Sequence, residues 1–238
     1  MLQVIMEKEL PKDLKPFKLK KGTFNTEGRI YTKGNEFFKL YHTPRSFQYA
    51  MHFEQIKEND IPYTHLPNYF IMDDQTRIVG EVQTLIKASH NLSDGINSHT
   101  ENRELDRRIP KMLQLSAFME GIDKKGYFHN DFHMDNFMED KNQIYAIDLG
   151  GLRQEKNERE HRFRYNIILL SYLFGISTKT AQNLLLYDFH YLEEYFKFAP
   201  EFLNYLKQTG ATDIYPDEVL HTLIGHEKEA TKIHRTFR

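Results

Sequence analysis

Five residues carry most of the chemistry legible in this 238-residue chain: Lys39, His129, Asp131, Asn136 and Asp148. A carboxylate such as Asp131 can take the proton of an acceptor hydroxyl. An amide oxygen at Asn136 and a second carboxylate at Asp148 can hold a divalent cation. Those are the needs of a phosphoryl-transfer site, where a base receives the hydroxyl proton and oxygen ligands keep Mg²⁺ on nucleotide phosphates. Asp and Asn are also common turn formers, so a single match would mean little, and the joint order of the residues carries the weight.

The elements that must position these residues can be read in outline. Phe137-Met138 and residues 143–147 read as two short strands around a turn at 139–142. A hairpin folds its ends together, so Asp148 is expected near Asn136, and Gly150 and Gly151 let the chain turn sharply away. Pro110 is expected to open a helix with Met112, Leu115, Met119 and Ile122 on one face and Gly126 as its stop. That helix leads directly into His129. His129 and His133 have the spacing of zinc ligands on a helix, but the pattern is not H-E-x-x-H and the intervening residues do not read as helical. His133 is therefore expected to be a structural or substrate-side residue of the loop.

The stretch resembles the catalytic loop and metal-binding segment of the protein-kinase-like superfamily. His129, Asp131 and Asn136 meet the pattern H-x-D-x-x-x-x-N, and the D-F-G position reads Asp148-Leu149-Gly150. The resemblance covers about residues 17–175. It implies an α+β, two-lobed kinase-like fold: a β-rich nucleotide-binding lobe with one helix over residues 1–85, and a mainly helical catalytic lobe over residues 86–238. It further implies ATP and Mg²⁺, with Asp131 as the base, Asn136 and Asp148 on the metal, and His129 bracing the loop.

A site of this kind also needs a lysine on a buried strand, a helix glutamate to hold it and a loop over the phosphates. Phe37-Phe38-Lys39-Leu40-Tyr41 puts a lysine within an apolar strand, where its charge requires an anionic partner. Thr43-Pro44 reads as the N-cap and first-turn proline of a helix to about residue 57, with Phe47, Ala50, Met51 and Glu54 along one face. Glu54 is accordingly the expected partner of Lys39, which would grip the nucleotide phosphates, and Glu58 is the next acid to consider. Thr26, Gly28 and Ile30 stand where the resemblance implies a glycine-rich turn. Backbone N–H groups of Thr26 and Gly28 would meet phosphate and Ile30 would cover adenine, although only one of the family's usual three glycines aligns. A strand over residues 77–82 is expected to run into an inter-lobe connection at 81–84.

Composition narrows the alternatives. Lys and Arg number 32 against 34 Asp and Glu, a near balance that gives no electrostatic case for nucleic acid as the main partner. Cysteine is absent, which rules out disulfides and thiolate metal sites and permits a cytoplasmic location. The apolar run over residues 165–178 is too short to span a membrane, and no membrane partner is expected. The remaining pattern gives a polar connector at 89–103, a charged stretch at 153–164, and helices at 165–174, 181–198 and 216–234.

Three functions fit these residues. The first is an ATP-dependent kinase whose acceptor is Ser or Thr of a protein. The second is a small-molecule kinase resembling those for aminoglycosides or choline, which often carry an Asp-x-His pattern like that of Asp131 and His133. The third is a nucleotide-binding pseudokinase, against which stand competent residues at Lys39, Asp131, Asn136 and Asp148.

Overall fold

Alternation of apolar and polar residues on either side of Gly34-Asn35 builds the first hairpin, and Gly34 takes the positive φ of 60° that a two-residue turn requires. A computed structural model describes residues 2–17, 27–87, 90–96, 105–154, 158–208 and 216–237. They form a mixed α+β protein with a multi-stranded N-terminal sheet and a helical C-terminal part. The chain divides into two compact units, Met1–Ile61 with His65–Lys87 and Pro62–Thr64 with Ala88–Arg238.

The first unit contains β1 (Val4–Met6), β2 (Lys15–Pro16), β3 (Gly28–Lys33), β4 (Glu36–Arg45), α1 (Phe47–Glu58), β5 (Tyr69–Met72) and β6 (Ile78–Thr84). Its sheet has the order β1-β5-β6-β4-β3-β2, antiparallel except where β1 lies parallel to β5. Phe38, Ile71 and Val82 are fully buried and gather Ile5, Leu10, Leu14 and Tyr31 around them. Tyr49 and Phe53 of α1 pack on Phe70 of the sheet, with ring centroids 6.4 and 5.6 Å apart.

Three expectations for this unit are corrected. Thr43-Pro44 does not begin the helix: β4 continues to Arg45, and α1 starts at Phe47 after Ser46. Pro44 is tolerated because the β4–β6 register shifts between Leu40 and Arg45, which removes the demand for its missing N–H. The buried stripe of α1 is Ala50, Phe53 and Ile56, whereas Phe47 and Met51 are 44% and 42% exposed. Residues 81–84 do not form a connection, since β6 pairs with β4 out to Thr84 opposite Glu36.

The second unit contains β7 (His90–Asn91), α2 (Leu92–Ile96), α3 (Leu105–Lys124), β8 (Phe128–His129), β9 (Phe137–Glu139), β10 (Ile144–Ala146) and β11 (Leu152–Arg153). These are followed by α4 (Glu158–Phe174), α5 (Thr178–Leu186), α6 (Phe189–Tyr195), α7 (Pro200–Lys207), α8 (Asp217–Leu220) and α9 (Glu227–Phe237). Met112, Leu115, Met119 and Ile122 of α3 are fully buried, as their spacing predicts. Gly126, at φ 70°, ends α3: its N–H donates to Asp123 O and that of Tyr127 to Ile122 O, the paired bonds of a Schellman cap.

Several helix bounds differ from the sequence pattern. Pro110 lies inside α3 rather than opening it, because burial of Leu105 and Ile109 favours an earlier start. Part of the expected 89–103 connector is ordered as β7 and α2, α4 takes in charged residues from Glu158, and α7 was not expected. The 181–198 pattern is two helices meeting at Tyr187-Asp188, and the C-terminal pattern breaks at Gly225, where φ is 85°. No helix among the described residues is long and apolar enough to cross a membrane.

Candidate active site

The loop following β8 alternates buried and exposed residues, and this decides which side chains can meet a substrate. His129, Phe132 and Met134 are buried, whereas the side chains of Asp131 and His133 are 72% and 44% exposed. Phe132 anchors the loop, its ring 5.2 Å from Phe137 and 5.1 Å from His161, and Phe137 in turn packs 5.6 Å from Phe118 of α3. A buried ring between two polar neighbours holds both of them toward solvent.

Two histidines hold the Asp131 segment. His129 Nδ1 accepts a hydrogen bond from Asp131 N–H at 3.2 Å, so the proton of the neutral ring sits on Nε2. Burial pushes this imidazole down to about 4, with nearby His161 acting in the same direction. His129 therefore braces the loop without carrying charge, and a Cβ added at Gly151 would come within 3.0 Å of its ring. His133 Nδ1 accepts from Asp135 N–H at 3.2 Å, which leaves its Nε2–H to donate to Asp131 Oδ2, also at 3.2 Å. The zinc alternative has no helix to support it, because the two histidines lie on a short strand and at the N-cap of a 3₁₀ turn.

The buried neutral state of His129 has a consequence for stability. A folded-state pKa lowered from 6.5 to about 4 means that the unfolded chain binds the extra proton first. Stability should be fully present above pH 6.5 and fall by about 3 kcal/mol by pH 4 through this one group. Urea unfolding across that range, with the His129 ring followed by NMR, checks the expectation. A His129 that titrates at 6.5 or above in the folded protein would contradict it.

Asn136 is buried, and its Nδ2 donates to Asp131 O at 2.5 Å. That bond fixes the amide: nothing among the described residues donates to Oδ1, which is left to act as an oxygen ligand. The expected hairpin forms, with Ala146 opposite Phe137, and Ile147 N–H donates to Asn136 O at 2.9 Å. Ile147, the residue before Asp148, is thereby bonded to Asn136. Asp148 is exposed, in the left-handed conformation at φ 54° and ψ 46°, a strained position for a non-glycine residue that aspartate tolerates better than most. Beyond it, a 3₁₀ turn at Leu149–Gly151 brings β11 back to pair with β8, Leu152 opposite His129.

Mg²⁺ commonly takes one or two protein carboxylates and fills its octahedron with phosphate and water. An amide oxygen such as Asn136 Oδ1 and a carboxylate such as that of Asp148 are of the hard-oxygen type that this cation takes. Among the described residues no group of three or more His, Cys, Asp or Glu could hold a metal by itself.

In the first unit, Lys39 lies on β4 opposite Ile30 of β3 and Glu81 of β6. Glu27 Oε2 lies 2.5 Å from its Nζ, and Glu54 is half-buried on α1. Gly28 has a packing reason of its own, since a Cβ there would lie 2.3 Å from Leu40 O. Thr26 falls outside the described residues. Glu81 is buried and accepts a hydrogen bond from Tyr41 Oη at 2.7 Å, and burial together with that carboxylate pushes the phenol pKa up.

Two of these contacts were missed in the sequence. The signal for Glu27 is hairpin arithmetic: the Gly34-Asn35 turn pairs Lys33 with Glu36 and Gly28 with Tyr41, which brings Glu27 level with His42, close to Lys39. The donation from His133 to Asp131 has no comparable signal, because it depends on a rotamer fixed by Asp135 N–H. Compared with known protein families the chain matches none, and the comparison with curated proteins likewise yields no match.

Proposed function

We propose that the chain is an ATP-dependent phosphotransferase of the protein-kinase-like type, moving the γ-phosphate of ATP to a hydroxyl. The observation that carries this proposal is the Asp131–Asn136 loop, in which Asp131 exposes its carboxylate while its backbone carbonyl accepts a hydrogen bond from Asn136 Nδ2. The order of a β-rich unit with a single helix followed by a helical unit is in keeping with it.

In this mechanism Asp131 orients the acceptor hydroxyl and takes its proton as the oxygen bonds to the γ-phosphorus, while the bond from that phosphorus to the β,γ-bridging oxygen breaks and ADP leaves. The His133 Nε2–H fixes one carboxylate oxygen, leaving the other for the acceptor. Asn136 and Asp148 would hold Mg²⁺, which supplies neutralisation of phosphate charge. Lys39 grips the phosphates and Ile30 lines the adenine side, with Glu54 as a second acid for Lys39.

The acceptor assigned first is Ser or Thr of a protein. The contact between His133 and Asp131 favours a second assignment, a small-molecule hydroxyl, because it gives the Asp-x-His pattern a part in setting the base. Neither nucleic acid nor membrane is assigned as a partner, and the proposed location is cytoplasmic.

Nucleotide binding tests the proposal at its first step. ATP with Mg²⁺ at about 100 times its dissociation constant should stabilise the fold by roughly 2.7 kcal/mol, read as a rise in melting temperature. No rise at saturating ATP and Mg²⁺, with no heat of binding in calorimetry, would remove the phosphotransferase reading. Binding with no transfer to any acceptor would instead indicate a pseudokinase.

A further inference from the structure

Lys39 does not meet Glu27 alone. Arg45, at the far end of β4, places Nη2 3.3 Å from Glu27 Oε1 while Lys39 Nζ lies 2.5 Å from Oε2, so one carboxylate bridges two cations. Six residues of regular strand would separate the two backbones by about 20 Å. The cations reach one acid by leaning toward each other across the stretch where the β4–β6 register shifts.

Arg45 is held in place from behind. Its guanidinium lies over the rings of Tyr41 and Tyr49, with centroids at 5.5 and 5.8 Å. Tyr41 is itself fixed by its hydrogen bond to buried Glu81. Arg45 Nε is buried and, among the described residues, has no hydrogen-bond acceptor. Lys39 is 14% exposed at its side chain. For Glu27, burial opposes ionisation, but the Lys39 hydrogen bond and the charges of Lys39 and Arg45 outweigh it and hold the carboxyl below its usual range.

We infer that Lys39 and Arg45 form a two-cation clamp for nucleotide phosphate and that Glu27 competes with the phosphate for both cations. This rests on the phosphotransferase reading and adds two assignments to it. Arg45 is a second phosphate-binding residue, and Glu27 is an internal competitor that weakens nucleotide binding. Two oxygens of one carboxylate bridging an ammonium and a guanidinium mimic two non-bridging oxygens of a phosphate, because both present charge-assisted acceptors to the same donors. Binding of ATP then requires Glu27 to give up its bonds to Lys39 and Arg45.

Calorimetric titration of the whole chain with Mg²⁺·ATP and, separately, with adenosine tests this directly. Glu27→Gln keeps the shape and removes the competing charge, so ATP should bind roughly tenfold more tightly, about one charge-assisted contact regained. Arg45→Gln should weaken ATP roughly tenfold, with Arg45→Lys recovering part of the loss. Adenosine affinity should not change in any variant, which separates loss of a phosphate contact from a damaged fold. If the wild type binds ATP and neither Glu27→Gln nor Arg45→Gln alters its affinity, the clamp is overturned while the phosphotransferase reading stands. If none of the proteins binds ATP, both fall.

Discussion

Asp131→Asn should lower turnover by about 10²- to 10⁴-fold while leaving ATP affinity nearly unchanged. The amide has almost the same shape as the carboxylate, so the backbone bonds from Asp131 N–H to His129 and from Asn136 Nδ2 to Asp131 O need not move. What is lost is the capacity to take a proton. Phosphate binding is assigned to other residues, so KM for ATP is a control within the same experiment. Steady-state kinetics on both proteins checks this, and a variant with full activity would dismiss Asp131 as the base. A variant that loses ATP affinity and turnover together would place Asp131 in binding instead.

The second large effect concerns the platform under the hairpin. Glu139 of β9 is 2% exposed and gathers Lys111 Nζ, Tyr172 Oη at 2.5 Å and His90 Nε2 at 3.0 Å. Lys111 is itself only 13% exposed at its side chain, so Glu139→Ala strands an ammonium with little water to solvate it. Removing one partner of such a pair costs about 3–5 kcal/mol, far more than the intact pair contributes. By contrast, breaking the exposed Lys124–Glu120 pair should cost less than about 1 kcal/mol. Urea denaturation of the two variants makes the comparison, and a Glu139→Ala loss under about 1 kcal/mol would contradict the buried-pair account. Because Glu139 lies three residues from Asn136 on the strand that leads toward Asp148, nucleotide-dependent stabilisation should fall along with it.

The sequence was most informative where structure is local. The hairpin from Phe137 to Ala146 needs only strand propensity and a turn, and its turn is closed by Asp140 Oδ1 accepting from Asn142 and Gln143 N–H. It therefore closes as expected, with Ile147 N–H donating to Asn136 O. The α3 face and the Gly126 stop were legible for the same reason. Positions set by tertiary pairing were not. Pro44 reads as a helix opener by propensity, but pairing of β4 beyond the irregularity keeps it extended. The apolar face read through Phe47 and Met51 is likewise displaced, because the sheet buries Ala50, Phe53 and Ile56 of α1 instead. The Glu27 contact to Lys39 is set by pairing of the neighbouring strand and not by the helix. Pro110 follows the same logic, its lost hydrogen bond being outweighed by burial of Leu105 and Ile109.

The central claim is that Asp131, Asn136 and Asp148 together transfer phosphate, and transfer of label tests it most directly. The protein would be incubated with γ-labelled ATP, Mg²⁺ and a cell lysate, and the products separated into protein and small-molecule fractions beside Asp131→Asn and Asp148→Asn controls. The account predicts labelled product in one fraction, dependent on Mg²⁺ and lost in both variants. Saturating ATP binding with no label transferred to either fraction, or transfer that persists undiminished in both variants, would contradict it.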